Sequence, residues 1–436
     1  MRQSGSDEAD AIVIGGGPAG LFLASRLAER LGPSSEGRIV VLEKMPEPGR
    51  KLLVSGAGRC NITHQGPIAD FLGHYGGAGR FLKKALYSFS NEDLASWLGE
   101  RGIELEAEEG GKLFPASRKA SDILRALLEE CGRHGVSLLT STKVVAVSHV
   151  RDSGREGRGS REAAFLVGAQ RADGTSLTLR GPLLAIAAGG SSYPGTGSSG
   201  EGYALAASLG HRIVPPRPAL TPVTLRDPAL CALAGLSFEA LAFAIRRGGK
   251  KIGGSRGDVL ITHEGLSGPG ILDASRGLEP GDVLELDFSG LGLEGFRAAL
   301  ASRVAAAPRS LARTVLADAG LPKHLAELIC ALVGGSADTF GEDTRCAELK
   351  REARDAMARM AAAFPAEIGA LGGFEKAMVT AGGISLGEVD SSTMASRVAE
   401  GLYFAGEVLD YDGDTGGYNL QAAFSSADAA ARAMRE

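Results

Sequence analysis

No two cysteines in this chain are close enough in sequence to work as a pair. Its five cysteines, Cys60, Cys131, Cys231, Cys330 and Cys346, form no CxxC and are scattered over 436 residues. An odd, dispersed set excludes a disulfide framework and argues against a dithiol reductase. It points to a reducing compartment, so the expected location is cytoplasmic. Aromatic residues are scarce, at 5%, which removes the stacking platforms of single-strand nucleic-acid binders. No sign of charge dominates: the net charge is −5, which argues against generic binding to nucleic acid or to an anionic membrane. The seven histidines show no metal-ligand spacing, so no metal is expected. The N-terminal MRQSGSDEAD is polar and lacks the apolar core of a signal peptide. The apolar stretch from Ala11 to Ala28 is broken by three consecutive glycines, Pro18 and Arg26, so it is not read as a membrane span.

Glycine, by contrast, is abundant, with 63 residues. The most telling cluster is AIVIGGGPAG, Ala11 to Gly20. A four-residue apolar run is followed by Gly15-x-Gly17-x-x-Gly20 and an amphipathic stretch to Leu31, which reads as strand, tight turn and helix. Gly15 permits the turn, Gly17 lets backbone amides approach a pyrophosphate, and Gly20 lets the helix pack on the strand. A second strand, Arg38 to Leu42, ends in Glu43, placed to bind the ribose hydroxyls of an adenosine. At the other end of the chain, GLYFAGEVLD gives a late strand ending in Gly406-Glu407, the pattern of a carboxylate that binds a ribityl hydroxyl. The run Gly416 to Asn419 precedes the final helix, whose amides would face the pyrimidine edge of a flavin and favour its reduced, negative form. Between them, EPGRKLLVSGAGRCNITH (Glu47 to His64) sets Arg50, Lys51 and Arg59 among small residues, as a loop that wraps a pyrophosphate and reaches the flavin ring.

The candidate cofactor residues are therefore Gly15, Gly17, Pro18, Ala19 and Gly20; Glu43 and Lys44; Arg50, Lys51, Ser55, Gly58, Arg59, Cys60 and Asn61; Gly189; Gly406 and Glu407; and Gly417, Tyr418 and Asn419. Cys60 reads as a packed small residue near the flavin rather than a catalytic thiol. A second GxGxxG, Gly195 to Gly200, has no strand-plus-acid after it, so it reads as a loop lining the flavin or substrate cleft rather than as a second dinucleotide site. In THEGLSGP, Thr262 to Pro269, His263 is the first candidate for a proton donor, and Tyr193 and Tyr418 are the others. Pro269 stands where a nucleophile elbow needs glycine, which argues against a hydrolase.

The chain alternates strands and helices to about residue 212. A short helix over Leu94 to Arg101 follows a capping sequence at Ser90, and Asp122 to His134 is a longer one. The charged, glycine-rich stretch Arg151 to Glu162 reads as an exposed hairpin tip. The texture then changes: residues 213–293 with 365–372 read as a β-rich insert and residues 294–364 as a helical one, with three or four short helices. The α/β texture resumes at 373, so a nucleotide-binding domain of residues 1–212 and 373–436 is interrupted.

The segments GGGPAGLFLASRLA, GRKLLVSGAGRCNITH, KLFPASRKASDIL, AAGGSSYPGTGSSGEGYALAASLGH, THEGLSGPGILDAS, TAGGISLGEVDSSTM and GLYFAGEVLDYDGDTGGYNLQAAFSS occur in the same order in the BaiN/RdsA-type FAD-dependent oxidoreductases, also described as aminoacetone-oxidase-like flavoproteins. The chain resembles that family over nearly its whole length. The resemblance implies an α/β fold: a Rossmann-like FAD domain of glutathione-reductase type, interrupted by a β-rich and a helical insert. It implies non-covalent FAD and puts Gly15, Gly17, Gly20 and Glu43 on the ADP half. Arg50, Lys51 and Arg59 fall on the flavin-wrapping loop, Gly406 and Glu407 on the ribityl segment, and Gly417 to Asn419 at the ring. One branch of the family resembles enone reductases, another amine oxidases. The chain departs from the usual pattern at Ala57, where glycine is common, and at His64, where asparagine is common.

The expected function is an FAD-dependent oxidoreductase that passes hydride from NAD(P)H through the flavin to an enone-type small molecule. The substrate is expected to touch the segments Ser191 to Gly200 and Thr262 to Pro269. The partners are a small-molecule substrate and a transient nicotinamide, with no nucleic acid and no membrane; the oligomeric state is left open. The rivals are an amine oxidase using oxygen, a flavin-dependent tRNA-modifying enzyme and a non-catalytic flavin sensor.

Overall fold

Five short, largely apolar runs form one parallel sheet, the inner ones almost wholly buried, as strands covered on two sides are. They are β1 (Ala11–Ile14), β2 (Ile39–Leu42), β3 (Ser137–Leu139), β4 (Leu183–Ile186) and β5 (Leu402–Phe404), in the order β5-β4-β1-β2-β3. Between β1 and β2 runs the helix α1 (Pro18–Leu31), started by a proline at its first position, where a missing N–H costs nothing. Ile14 lies in register with Leu42 on one side and Ile186 on the other. The chain leaves β1 towards β2 and β3, then returns to its other side at β4. That reversal leaves a crevice at the carboxyl ends of β1 and β4, the usual place for a ligand in an open parallel sheet.

The computed structural model describes residues 7–32, 38–108, 110–151, 163–335 and 343–435. They divide into two units, residues 1–218 with 377–436 and residues 219–376. The first unit holds the parallel sheet and a second sheet of Asp7–Glu8, Ser176–Gly181, Ala163–Arg171 and Thr142–Arg151, antiparallel except for the parallel pairing of Asp7–Glu8 with Ser176–Gly181. Residues 152–162, most of the expected hairpin tip, lie outside the described residues; Arg151 and Ala163 are paired on either side of them. The helix Asn91–Gly99 begins at Ser90 with a capping box closed by Asp93. The C-terminal helix, Tyr418–Ala433, packs along α1. The Phe22 ring meets the edges of Phe424 and Trp97 at 5.0 Å each.

In the second unit six strands close into a barrel: Val223–Leu225, Gly265–Ser267, Lys250–Ile261, Ser237–Arg247, Val283–Asp287 and Phe364–Leu371, in that order around it. Helices Gly292–Ala306, Ala312–Asp318, Lys323–Gly334 and Arg351–Ala362 share its core. The two ends of the unit meet: the Gly372 amide donates to the Pro222 carbonyl at 2.9 Å. The unit begins six residues later than the sequence boundary at 213 and ends four later than that at 372. The proline-rich segment Ile213–Ala219 is a strand paired with Val379–Ile384 in a two-stranded ribbon. A two-stranded ribbon tolerates Pro215, Pro216 and Pro218 because each strand has an unpaired edge. For the same reason Val379–Ile384 does not join the parallel sheet; β5 alone carries the C-terminal segment back to it. Among the described residues no helix is long and apolar enough to cross a membrane.

Candidate active site

The crevice beside β1 is lined by Ile14, Gly15, Leu42, Glu43, Lys44, Thr142, Lys143, Ala188, Gly197 and Glu201. Its backbone is built for close approach. Gly15 has φ +112°, and a Cβ there would lie 2.4 Å from the Ala187 carbonyl oxygen. A Cβ on Gly20 would lie 1.9 Å from the Gly15 oxygen, so only glycine lets α1 sit on the turn. At Gly17 a Cβ would meet nothing within 4 Å, and the first turn of α1, with Pro18, Ala19 and Gly20, opens on that side. Glu43 is held in place by two backbone donors, the Gly16 and Met45 amides, each 2.7 Å from one carboxylate oxygen. Each oxygen keeps a further lone pair for a hydroxyl. These features fit the ADP half of an adenine dinucleotide: amides at a helix N-terminus, room at Gly17, and an oriented acid at the end of the second strand.

Glu407 follows β5 and lies in a polar cluster. Lys51 Nζ is 2.7 Å from its Oε2, while Ser192 Oγ at 3.0 Å and the Thr380 amide at 2.8 Å donate to Oε1. Lys51 also donates to Ser192 Oγ at 2.6 Å. Thr380 Oγ1 in turn accepts the Ser191 and Ser192 amides at 2.8 and 3.1 Å. A Cβ on Gly190 would collide with Thr380 Oγ1 at 2.4 Å. Lys51 and Glu407, both expected at the cofactor, are thus brought together. Ser192 and Thr380 are not visible in the sequence, where a lone serine and threonine 188 residues apart carry no spacing signal. Gly406 has φ +76°, and its amide donates to Ser426 Oγ on the C-terminal helix at 3.0 Å.

The loop after Lys51 is unusually left-handed: Gly56, Ala57, Gly58 and Cys60 all have φ between 55° and 83°. Ser55 Oγ donates to the Leu52 carbonyl at 2.7 Å. Cys60 is buried, and burial pushes its thiol up to about 12. It is therefore a neutral, packed thiol at neutral pH. The Asn61 amide nitrogen faces the Thr63 and Leu113 carbonyls, and its oxygen accepts the Gly417 amide at 3.1 Å. This joins the loop to the start of the C-terminal helix. The Gly417 N–H is thereby engaged by Asn61. The first intrahelical bond is Gln421 N–H to the Gly417 carbonyl at 3.0 Å, so the Asn419 and Leu420 amides belong to the open first turn. The Asn419 side chain closes its own loop through Gly413, accepting its N–H and donating to its carbonyl, both at 2.8 Å. The buried Tyr418 ring is stacked between His74 at 3.9 Å and His64 at 5.2 Å.

Each of the remaining expected residues has surroundings of its own. Arg59 pairs with Glu108 at 2.9 Å and lies over the Phe114 ring, which also carries Arg118. It braces the hairpin Leu105–Ala107 and Lys112–Pro115. Arg50 opens the short helix Arg50–Val54 and is half-buried. Gly189 has φ +72° and Tyr193 φ +54°, both in the loop after β4. Lys44 pairs with Glu201 at 2.6 Å. His263 belongs to the second unit, exposed at the turn between Lys250–Ile261 and Gly265–Ser267. That turn is held by the Thr262 amide on the Gly265 carbonyl at 2.8 Å; neighbouring Glu264 pairs with Lys376.

Known proteins resemble this chain over its whole length. A family model described as the HI0933-like protein Rossmann domain matches residues 9–433. A ribosomal RNA dihydrouridine synthase of Haemophilus influenzae is 32% identical over 429 residues, covering 98% of each chain. That of Escherichia coli is 32% identical over 426 residues, 97% of each. A 3-dehydro-bile acid delta(4,6)-reductase of Clostridium scindens is 30% identical over 431 residues, 97% of this chain and 98% of its own.

Proposed function

The chain belongs to the HI0933-like Rossmann family, a family of FAD-dependent oxidoreductases, and on that premise we propose that it reduces a carbon–carbon double bond conjugated to a carbonyl, in a small molecule, with NAD(P)H as the electron donor. The observation that carries this reading is the chemistry shared by the names of its full-length relatives. A dihydrouridine synthase saturates a ring double bond conjugated to a carbonyl, and so does a delta(4,6)-reductase of a 3-dehydro substrate. Bound FAD supplies hydride chemistry that no side chain can. The buried, neutral thiol of Cys60, with no partner cysteine beside it, supports direct transfer to the substrate rather than a dithiol relay.

In this reading Glu43 holds the adenosine ribose and the first turn of α1 the pyrophosphate. Glu407 takes a ribityl hydroxyl while Lys51 balances its charge. The open amides of Asn419 and Leu420 favour negative charge at the ring edge. His263, Tyr193 and Tyr418 are the candidates for the group that gives a proton to the substrate carbon next to the carbonyl. Five buried cysteines, none of them in a disulfide, support a cytoplasmic setting. The likeness to two ribosomal RNA dihydrouridine synthases favours one further reading, in which the conjugated double bond is that of uridine within RNA.

The test is anaerobic. The holoprotein is reduced with NADH or NADPH, then mixed separately with a panel of conjugated enones, with an unmodified ribosomal RNA transcript, and with oxygen; in a separate arm the oxidised holoprotein is mixed with an amine. Fast reoxidation by an enone is the expected result. Reoxidation by RNA alone would move the substrate to uridine, and reduction of the flavin by an amine would turn the reading into an amine oxidase.

A further inference from the structure

The second glycine motif, Gly195 to Gly200, does not carry a dinucleotide of its own. The helix after it, Glu201–Ser208, opens with an acid at its positive end, and a negative charge there repels a phosphate. Glu201 faces two lysines. Lys44 Nζ lies 2.6 Å from its Oε2 and Lys143 Nζ 2.8 Å from its Oε1. Burial opposes that charge, but hydrogen bonds and charge from Lys143 and Lys44 hold the carboxyl below its ordinary value. Lys44 also reaches Ser199 Oγ in the loop itself. The three residues belong to three walls of one crevice: the segment after β2, the strand Thr142–Arg151 and the helix after the loop. Lys44, Lys143 and Glu201 line the crevice together with Glu43.

The loop is fixed at its base, where Ser191 and Ser192 donate to Thr380 Oγ1. Farther along it passes over the segment after β2, so closely that a Cβ on Gly197 would lie 2.8 Å from Met45 Cγ. Its turning points are glycines at positive φ: Gly189 at +72°, Gly197 at +109° and Gly200 at +78°. Such residues absorb backbone rotation at little steric cost.

We propose that the loop Gly189 to Gly200 is a strap across the adenosine end of the FAD cleft, latched shut by Glu201 on Lys44 and Lys143, and that opening the latch gates FAD binding and release. A strap of this kind slows movement in both directions. A residue that merely touches FAD slows release alone. The proposal requires only that FAD occupies the cleft; it does not depend on which acceptor is reduced, so the enone reading stands or falls separately.

The experiment follows FAD by fluorescence: release when the holoprotein is diluted, and association when apoprotein is mixed with FAD. In the wild type both rates should rise between about 0.1 and 1 M salt, over which the Debye length falls from about 10 to 3 Å. Glu201→Gln should raise both about fivefold, as loss of two partly exposed ion pairs predicts, and should remove the salt response. Lys143→Gln, which breaks one of the two pairs, should give a smaller rise of about twofold. If Glu201→Gln fails to fold, the wild-type salt series and Lys143→Gln decide. Wild-type rates indifferent to salt would overturn the proposal. So would faster release with unchanged association in either variant, which would reduce the acid to an ordinary contact.

Discussion

Glu43 and Glu407 are two carboxylates with opposite surroundings. Glu43 is held by neutral backbone amides and keeps its full charge available to a ribose. Glu407 shares its charge with Lys51 and with two hydroxyl-bearing neighbours. Removing the first should therefore act on cofactor affinity more than on structure. Glu43→Ala is expected to weaken FAD binding by at least tenfold, the size of one or two charge-assisted hydrogen bonds, as read by fluorescence titration of the apoprotein; an unchanged affinity would unseat the ribose assignment. Cys60 gives a pH prediction. Its folded thiol ionises near 12, against an ordinary value of 9.0, so the protonated form is favoured by folding. The stability this contributes is complete below pH 9 and declines as pH rises from there towards 12. A melting-temperature series should fall less steeply over that alkaline range in Cys60→Ser than in the wild type, and native Cys60 should resist alkylation at about pH 8. At this scale the sequence was readable wherever a residue's task is local. The turn at Gly15 and the acid at Glu43 are set by neighbours in the same βαβ unit. Lys51 and Glu407 could each be singled out from its own motif. Ser192 and Thr380 could not, because only the folded chain makes their hydroxyls meet. The sequence pattern places Asn419 at the ring, and its side chain also braces the loop that precedes it.

Among the elements, α1 and the C-terminal helix depend on each other. Asp428 on the C-terminal helix has a fully buried side chain and meets Arg26 and Arg30 of α1 at 3.0 Å each, as well as Arg432 one turn on. Removing the acid would take a shared, buried partner from three guanidinium groups. Asp428→Ala should cost roughly 3 kcal/mol, the scale for breaking a buried pair, measured by urea unfolding of the apoprotein. It should also weaken FAD binding, because both helices present first-turn amides to the cofactor. A melting point within a degree or so of wild type would mean the cage is idle. The helical periods and caps that identify these elements are local signals; the helix expected over Leu94 to Arg101 starts three residues earlier, directly after its capping residue Ser90, and ends at Gly99. The pairing of Ile213–Ala219 with Val379–Ile384 was not readable: its prolines look like loop punctuation, and its partner lies across the whole second unit.

For the whole molecule, the second unit has a closed barrel, a core of its own and chain ends that meet at Pro222 and Gly372. A barrel that closes leaves no edge strand to be satisfied by the rest of the chain. Residues 219–376 alone should therefore unfold cooperatively in a circular-dichroism melt and bind no FAD; a broad, non-cooperative melt would show that the unit leans on the first. Closure itself could not be read from the sequence, since short strand-like runs fit a sandwich as well as a barrel.

The discontinuity of the first unit also sets an order of events during synthesis. Strand β5, Glu407 and the C-terminal helix leave the ribosome after the complete second unit. The barrel can close while the parallel sheet still lacks its edge strand and half of its flavin site. At elongation rates of about 5–20 residues per second, the nascent first unit waits several seconds behind a finished neighbour. FAD capture is then a late event that follows synthesis of the C-terminal helix, and a nascent chain stalled before Leu402 should hold a folded barrel and no flavin.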